Sequence, residues 1–125
     1  MERDDKIDSF FKLKAWQEAH KLALLIYDAT DNFPEKERFI LCAQLCRAAI
    51  SVTSNIAEGF GRTTKKDKEH FYIMANGSLY EIKSQLLIAR DRRYINEANF
   101  QKIALQTNVA HRLLHGLIRT HKGSR

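Results

Sequence analysis

Two histidines, two cysteines, a glycine pair and two glutamates are the residues whose types and spacing invite a chemical reading. His111 and His115 stand four apart, so a helix would set both on one face, a spacing that metals use. A zinc site needs further ligands, and no carboxylate or cysteine lies near them in sequence, so solvated or anion-facing imidazoles are expected. Cys42 and Cys46 lack the C-x-x-C spacing, and nothing in the sequence supplies an activating base. They are expected as reduced, buried, small apolar residues. Gly59-Phe60-Gly61 lacks the third glycine of a phosphate loop, follows a helical pattern rather than a strand, and has no Lys-Ser/Thr ending. A helix cap and turn is the expected role. Glu58 and Glu81 are the candidate acid pair, and they should lie several turns apart. No catalytic residue, metal site or cofactor is therefore expected, and the protein is expected not to be an enzyme.

Two other constellations remain. Gln44, Arg47, Ser51, Asn55 and Glu58 recur at steps of three or four and so line one helix face; Gly77, Ser78, Glu81 and Gln85 form a similar row further on. If these two helices make a hairpin turning near Arg62, residues at equal height have numbers that add to about 124. That arithmetic predicts a cross-helix Arg47–Glu81 pair helped by Ser78 and Gln44. The seam either fixes helix register without any ligand or lines a binding pocket. The second constellation is basic. His111, His115, Arg119 and Lys122 follow one another at steps of four, four and three, with Arg112 at the border, away from Leu113 and Leu117.

Charge placement sharpens that reading. Residues 1–97 carry sixteen Lys/Arg and fifteen Asp/Glu, leaving +1, whereas residues 98–125 carry five Lys/Arg and no acid, leaving +5 of the total +6. Such asymmetry suits a polyanion, bound through phosphates with little sequence preference and a steep dependence on salt. No helix-turn-helix signal or zinc-finger spacing points to base reading. The alternative is that these cations only keep the protein in solution.

Four helical blocks would position these groups. The first, Ser9 to Asp31, carries Phe10, Leu13, Trp16, His20, Ala23 (with Leu24) and Tyr27 as an apolar stripe of helical period. Asn32-Phe33-Pro34 breaks it, and Pro34 suits the first position of a second block reaching Ala57. That block is apolar on two sides, Phe39, Cys42, Cys46, Ala49, Thr53 and Ile56 on one and Leu41, Leu45, Ala48 and Val52 on the other. One side is expected to remain for a partner subunit after the bundle core is filled. Gly59 and Gly61 are expected to cap its end. Thr64 with Asp67 reads as a capping box for a third block burying Phe71, Met74, Ala75, Ser78, Ile82, Gln85, Leu86 and Ala89. Asn96 caps a fourth, whose inner face is Phe100, Ile103, Thr107, Ala110, Leu113 (with Leu114) and Leu117. The expected fold is all-α: a single domain over residues 1–125, with its core at about 9–121, in an antiparallel up-down-up-down four-helix bundle.

The 125 residues are 44% hydrophobic and 29% charged with one proline, which excludes a disordered or collagen-like chain. The longest apolar run, Leu22 to Tyr27, is too short to span a bilayer, and no export signal stands out, so a cytoplasmic protein without membrane association is expected.

Leu13, Trp16, Ala19 and Tyr27, then Phe33-Pro34 with Glu37, Gln44, Arg47-Ala48-Ala49, Ser51 and Asn55-Ile56-Ala57-Glu58-Gly59, followed by Ala75-Asn76-Gly77-Ser78-Leu79-Tyr80-Glu81, resemble the four-helix bundle proteins. These are also called 23S rRNA intervening-sequence proteins. The resemblance covers about residues 10–118. It implies a bacterial four-helix bundle, often a barrel-shaped homopentamer, with no catalytic activity. A similar accessory protein of diversity-generating retroelements binds nucleic acid and works with a reverse transcriptase, which makes such an enzyme a possible protein partner here. Two departures stand out. Cys46 occupies a slot where many members have a second arginine beside Arg47. Arg92-Arg93-Tyr94 replaces the family's Leu-Gly-Tyr, placing Arg93 where glycine would cap the helix and adding two charges. The expected function is a ring-like homo-oligomeric accessory protein that binds RNA or DNA through Arg112, His115, Arg119 and Lys122, with Arg92 and Arg93. The alternative is an oligomeric scaffold for a protein partner.

Overall fold

The computed structural model describes residues 9–123, with the side chains described through Thr120. Four α-helices form: α1 Lys14–Thr30, α2 Leu41–Gly61, α3 Lys65–Asp91 and α4 Glu97–Gly123. Short 3-10 turns at Phe10–Lys12 and Glu35–Glu37 precede α1 and α2, and there is no strand among the described residues. Each helix packs on two others: α2 on α1 and α3, α4 on α1 and α3. The α2–α3 contact is the most extensive. Its pairings run in order, Gly59 at Tyr72, Ser51 at Ser78 and Arg47 at Glu81.

The core is a continuous cluster of small and branched residues. Ala15, Ala19, Leu22, Ala23 and Ile26 of α1 face Leu41, Leu45, Ala48, Ala49, Val52 and Ile56 of α2 and Tyr72, Ala75, Leu79, Ile82, Leu86 and Ala89 of α3. Phe100, Ile103, Ala110 and Leu114 of α4 complete it around buried Thr107, whose hydroxyl donates to the Ile103 carbonyl at 2.8 Å. The α1 stripe differs from the sequence expectation. Tyr27, Leu24 and His20 are exposed, and Trp16 stacks on His20 at 4.8 Å while Phe10 meets its edge at 5.3 Å. Alanines share the inner face with Leu22 and Ile26 because they let helices approach closely; of the expected stripe Ala23 is buried, and Leu13 and Trp16 pack half-buried against the core. On α3, Tyr72 is buried where none was expected, and Met74 is exposed.

The second apolar side of α2 is not left over for another subunit. Leu41, Leu45 and Val52 are all buried within the one chain, and it is Phe39, at 82% exposure, that stands in solvent.

The helix ends combine expected and unexpected chemistry. Thr64 Oγ1 accepts from the Asp67 amide at 3.1 Å, and Asn96 Oδ1 accepts from the Asn99 amide at 2.7 Å, so both predicted caps form. Pro34 opens the 3-10 turn rather than α2. The first turn of α2 is capped by Glu37 instead: Oε1 accepts from the Leu41 amide at 3.3 Å, and Oε2 accepts from the Tyr94 hydroxyl at 3.0 Å. Glu37 thus joins the α1–α2 link to the α3–α4 turn. Gly59 and Gly61 lie inside α2 and neither has a positive φ. The carbonyls at that end are satisfied by the Lys68 ammonium, which donates to Gly59 O at 3.2 Å and Phe60 O at 2.6 Å. The left-handed cap is Arg93, with φ 63°. Its amide donates to Arg90 O and that of Tyr94 to Ala89 O, the two bonds of a Schellman ending.

Candidate nucleic-acid interface

The outward face of α4 gathers the predicted cations. Asn108, His111, Arg112, His115 and Arg119 line an open depression of about 320 Å3, and no carboxylate is among them. Helical periodicity alone sets these side chains on one strip, and their place in the second half of α4 puts positive charge toward the negative end of the helix dipole. The Lys122 side chain lies outside the described residues. Arg92 and Arg93 do not join this group. They sit in the α3–α4 turn, roughly 20–35 Å away along α4 from Arg112 and Arg119. There Arg92 Nε donates to Tyr94 Oη at 3.4 Å, with its guanidinium over the same ring.

A lysine that the sequence reading did not single out completes the α4 strip from the neighbouring helix. Lys83 Nζ of α3 lies 2.7 Å from His111 Nδ1 and 5.1 Å from the centre of the Tyr80 ring. Tyr80 meets His111 edge-on at 5.0 Å, and His111 meets His115 at 4.6 Å. An ammonium against Nδ1 makes that nitrogen the acceptor, which assigns the proton to Nε2, a buried atom without a hydrogen-bond partner. Burial, then the Lys83 charge, then His115 hold His111 below the ordinary imidazole range. The imidazole is therefore kept neutral beside the cations, and an anion bound there would offset the charges that hold it so. The register of α3 on α4 was the signal that could have found Lys83.

The polar seam forms in part. Arg47 Nη2 donates to Glu81 Oε2 at 3.4 Å and to Gln44 Oε1 at 2.8 Å, as expected, but the two charged side chains are 55% and 46% exposed. Ser78 Oγ donates to Ser51 Oγ at 2.9 Å, and Asn55 Nδ2 donates to the Ser51 carbonyl and hydroxyl at 2.9 and 3.0 Å. Glu58 turns away and pairs with Arg62 at 2.8 Å. Arg47–Glu81 and Ser78–Ser51 tie α2 to α3, and the serine pair, with Ser78 buried, is the inner part of the seam. Cys42 and Cys46 are half-buried rather than buried. Among the described residues no group of three or more His, Cys, Asp or Glu is placed to hold a metal ion, and no helix is long and apolar enough to cross a membrane.

Comparison with known proteins is consistent with this geometry. A crystal structure of a Bacteroides thetaiotaomicron protein of unknown function, from the S23 ribosomal protein family, superimposes with a TM-score of 0.75. It is 20% identical, and the match covers 83% of this chain and 97% of that one, a likeness of fold. No curated protein matches the chain. The model of the 23S rRNA-intervening sequence protein family matches residues 11–116, from the turn before α1 to the last part of α4. The chain belongs to the 23S rRNA-intervening sequence protein family.

Proposed function

We propose that the protein is a non-catalytic accessory factor, an antiparallel up-down-up-down bundle assembled into a ring-like homo-oligomer, that holds RNA or DNA on the outward face of α4. One observation carries the reading: Arg112, Arg119, His111 and His115 line a single depression from which carboxylates are absent. Repeated around a ring, such strips make an array of cations that attracts phosphates chiefly by releasing their counterions. The family description, which links its members to 23S rRNA intervening sequences, supports a nucleic-acid setting. The ring rests on different residues from those that first suggested it. Ile73, Tyr80 and Leu87 stand half-exposed on α3 at steps of seven, with Gly77 and Ser84 between them, beside Met74 and Ile88. That is the seam of a helix seeking another helix.

The same apolar seam favours a second reading, in which the oligomer is a scaffold for a protein partner and the cations of α4 are merely solvated. A mobility-shift titration across salt concentrations separates the two. The wild type should shift RNA or DNA of any sequence at low salt and lose affinity steeply as salt rises. Charge reversal at Arg112, Arg119 and Lys122 should flatten the slope of log K against log salt by about two to three per strip engaged. A triple variant with wild-type affinity and slope would remove α4 from the site. A wild type that shifts nothing at low salt would leave the scaffold reading in place. Light scattering tests assembly, and a mass near 14.5 kDa would exclude the ring.

A further inference from the structure

We propose that Cys42 and Cys46 form a two-coordinate site for a soft monovalent cation of the Cu(I) class. Both thiols line one cleft of about 370 Å3, together with Tyr27, Asp31, Phe33 and Arg38. Both also converge on Thr30 of α1: Cys42 Sγ donates to the Thr30 carbonyl at 3.7 Å, and Cys46 Sγ lies 3.6 Å from Thr30 Oγ1. The sulfurs are thus held on the same side of α2, facing an opening, and neither is in a disulfide.

The spacing suits an ion better than a sulfur–sulfur bond. Residues four apart on a helix have Cβ atoms about 5–6 Å apart, whereas a disulfide needs them at about 3.5–4.5 Å. Two metal–sulfur bonds in line, each about 2.3 Å, need sulfurs about 4.6 Å apart, which the two χ1 rotors of such a pair can reach. Thiolates are soft ligands and select Cu(I) over harder ions. A linear ion asks for no third ligand, so the site meets its needs without a larger donor cluster.

Binding exchanges two thiol protons for one monovalent ion, so the site gains a net charge of −1. Arg38 lines the same cleft but bonds Glu35 at 3.5 Å, and Asp31 lines it as well, so the thiols' softness and not charge selects the ion. Burial, then the neighbouring Cys46 and Glu37, push the Cys42 thiol up, so the ion must displace its proton. The cleft sits where α1 ends and α2 begins, and nothing in this inference depends on nucleic-acid binding.

The test is a titration of the reduced full-length protein with Cu(I) under anaerobic conditions, with bicinchoninate as competing chelator. One Cu(I) per chain should bind, with affinity rising as pH rises. Cys42→Ser and Cys46→Ser should each weaken binding at least about tenfold, while His115→Ala should leave it unchanged. Bound Cu(I) should also protect both cysteines of the wild-type protein from iodoacetamide, a readout that needs no variant to fold. Absence of binding, unchanged binding in the double serine variant, or its loss in His115→Ala would each overturn the site.

Discussion

Replacing Gly59 by alanine would place a methyl carbon 2.6 Å from Tyr72 Cε1, 2.9 Å from Tyr72 Cδ1 and 3.2 Å from Phe71 Cβ. Carbon atoms in good contact lie about 3.5–4.0 Å apart. The obstructing atoms belong to a ring that is 1% exposed, so no flexible tip can swing aside. Either α2 and α3 separate or Tyr72 leaves its rotamer, an overpacking cost of about 1–3 kcal/mol, with the geometry placing it in the upper half of that range. Alanine returns about 1 kcal/mol of helix propensity. The net expectation is therefore a loss of about 1–2 kcal/mol. Gly61 is the internal control, since it ends the same helix and has nothing within 4 Å of an added Cβ. Gly61→Ala should keep the propensity gain without the clash and stabilise by up to about 1 kcal/mol. Urea unfolding should move the two midpoints in opposite directions at unchanged slope. In a double-mutant cycle, Tyr72→Ala should remove most of the penalty at Gly59. If Gly59→Ala and Gly61→Ala stabilise the protein equally, the close α2–α3 approach argued here is wrong.

Arg93→Gly should stabilise by about 1 kcal/mol, because a left-handed φ strains arginine and not glycine; a lower melting temperature would show that the arginine makes a contact worth more than the strain. Arg47→Ala and Glu81→Ala should each cost under about 1 kcal/mol because the pair is half exposed, whereas Ser51→Ala should cost about 1–3 kcal/mol by stranding the buried Ser78 hydroxyl; chemical denaturation that ranks them the other way would refute the seam's energetics. His111 is held below its ordinary value of 6.5, so its contribution to stability is intact above that pH and is lost as pH falls from 6.5 through the folded-state value. Lys83→Met should raise the His111 titration midpoint seen by NMR and narrow that window; an unchanged midpoint would show that the ammonium does not act on the ring.

The sequence carries the number of helices because each break has its own chemistry. Asn32-Phe33-Pro34, Arg62-Thr63-Thr64 and the Arg93 turn all interrupt helical periodicity, and Thr64 and Asn96 mark the restarts by their caps. What periodicity does not resolve is the choice between two apolar stripes on one helix. On α1 the stripe of Trp16, His20, Ala23 and Tyr27 holds in Ala23 and in half-buried Trp16, but His20 and Tyr27 are exposed and the rest of the inner face went to Ala15, Ala19, Leu22 and Ile26. Packing distance decides this, and size-weighted hydrophobicity favours the wrong side. On α2 both stripes were apolar, and one helix could bury Leu41, Leu45 and Val52 against its own chain because the stripes are adjacent rather than opposite.

The candidate site divides along the same line between local and tertiary information. His111, Arg112, His115 and Arg119 need only helical spacing to share a face, and they line one depression. Arg47 and Glu81 needed only a turn of roughly known position; the pivot falls nearer Thr64 than Arg62, and three or four residues of tolerance still bring the pair together. Lys83 needed the register of α3 against α4, which no turn residue specifies, because the Arg92–Asn96 link leaves the rotation of α4 open until Phe100, Ile103 and Thr107 find the core. Gly59 shows the converse. Its place in Asn55-Ile56-Ala57-Glu58-Gly59 suggested a cap, since glycine after a helical run usually ends it. Only the Tyr72 ring explains why a side chain is excluded there. Gly59 thus marks a contact between two helices, and the excess positive charge of the chain lies elsewhere, on α4 and in the Arg92-Arg93 turn. Fold and candidate binding face are carried by separate sets of residues, so charge can be altered on α4 without touching the packing that holds α2 on α3.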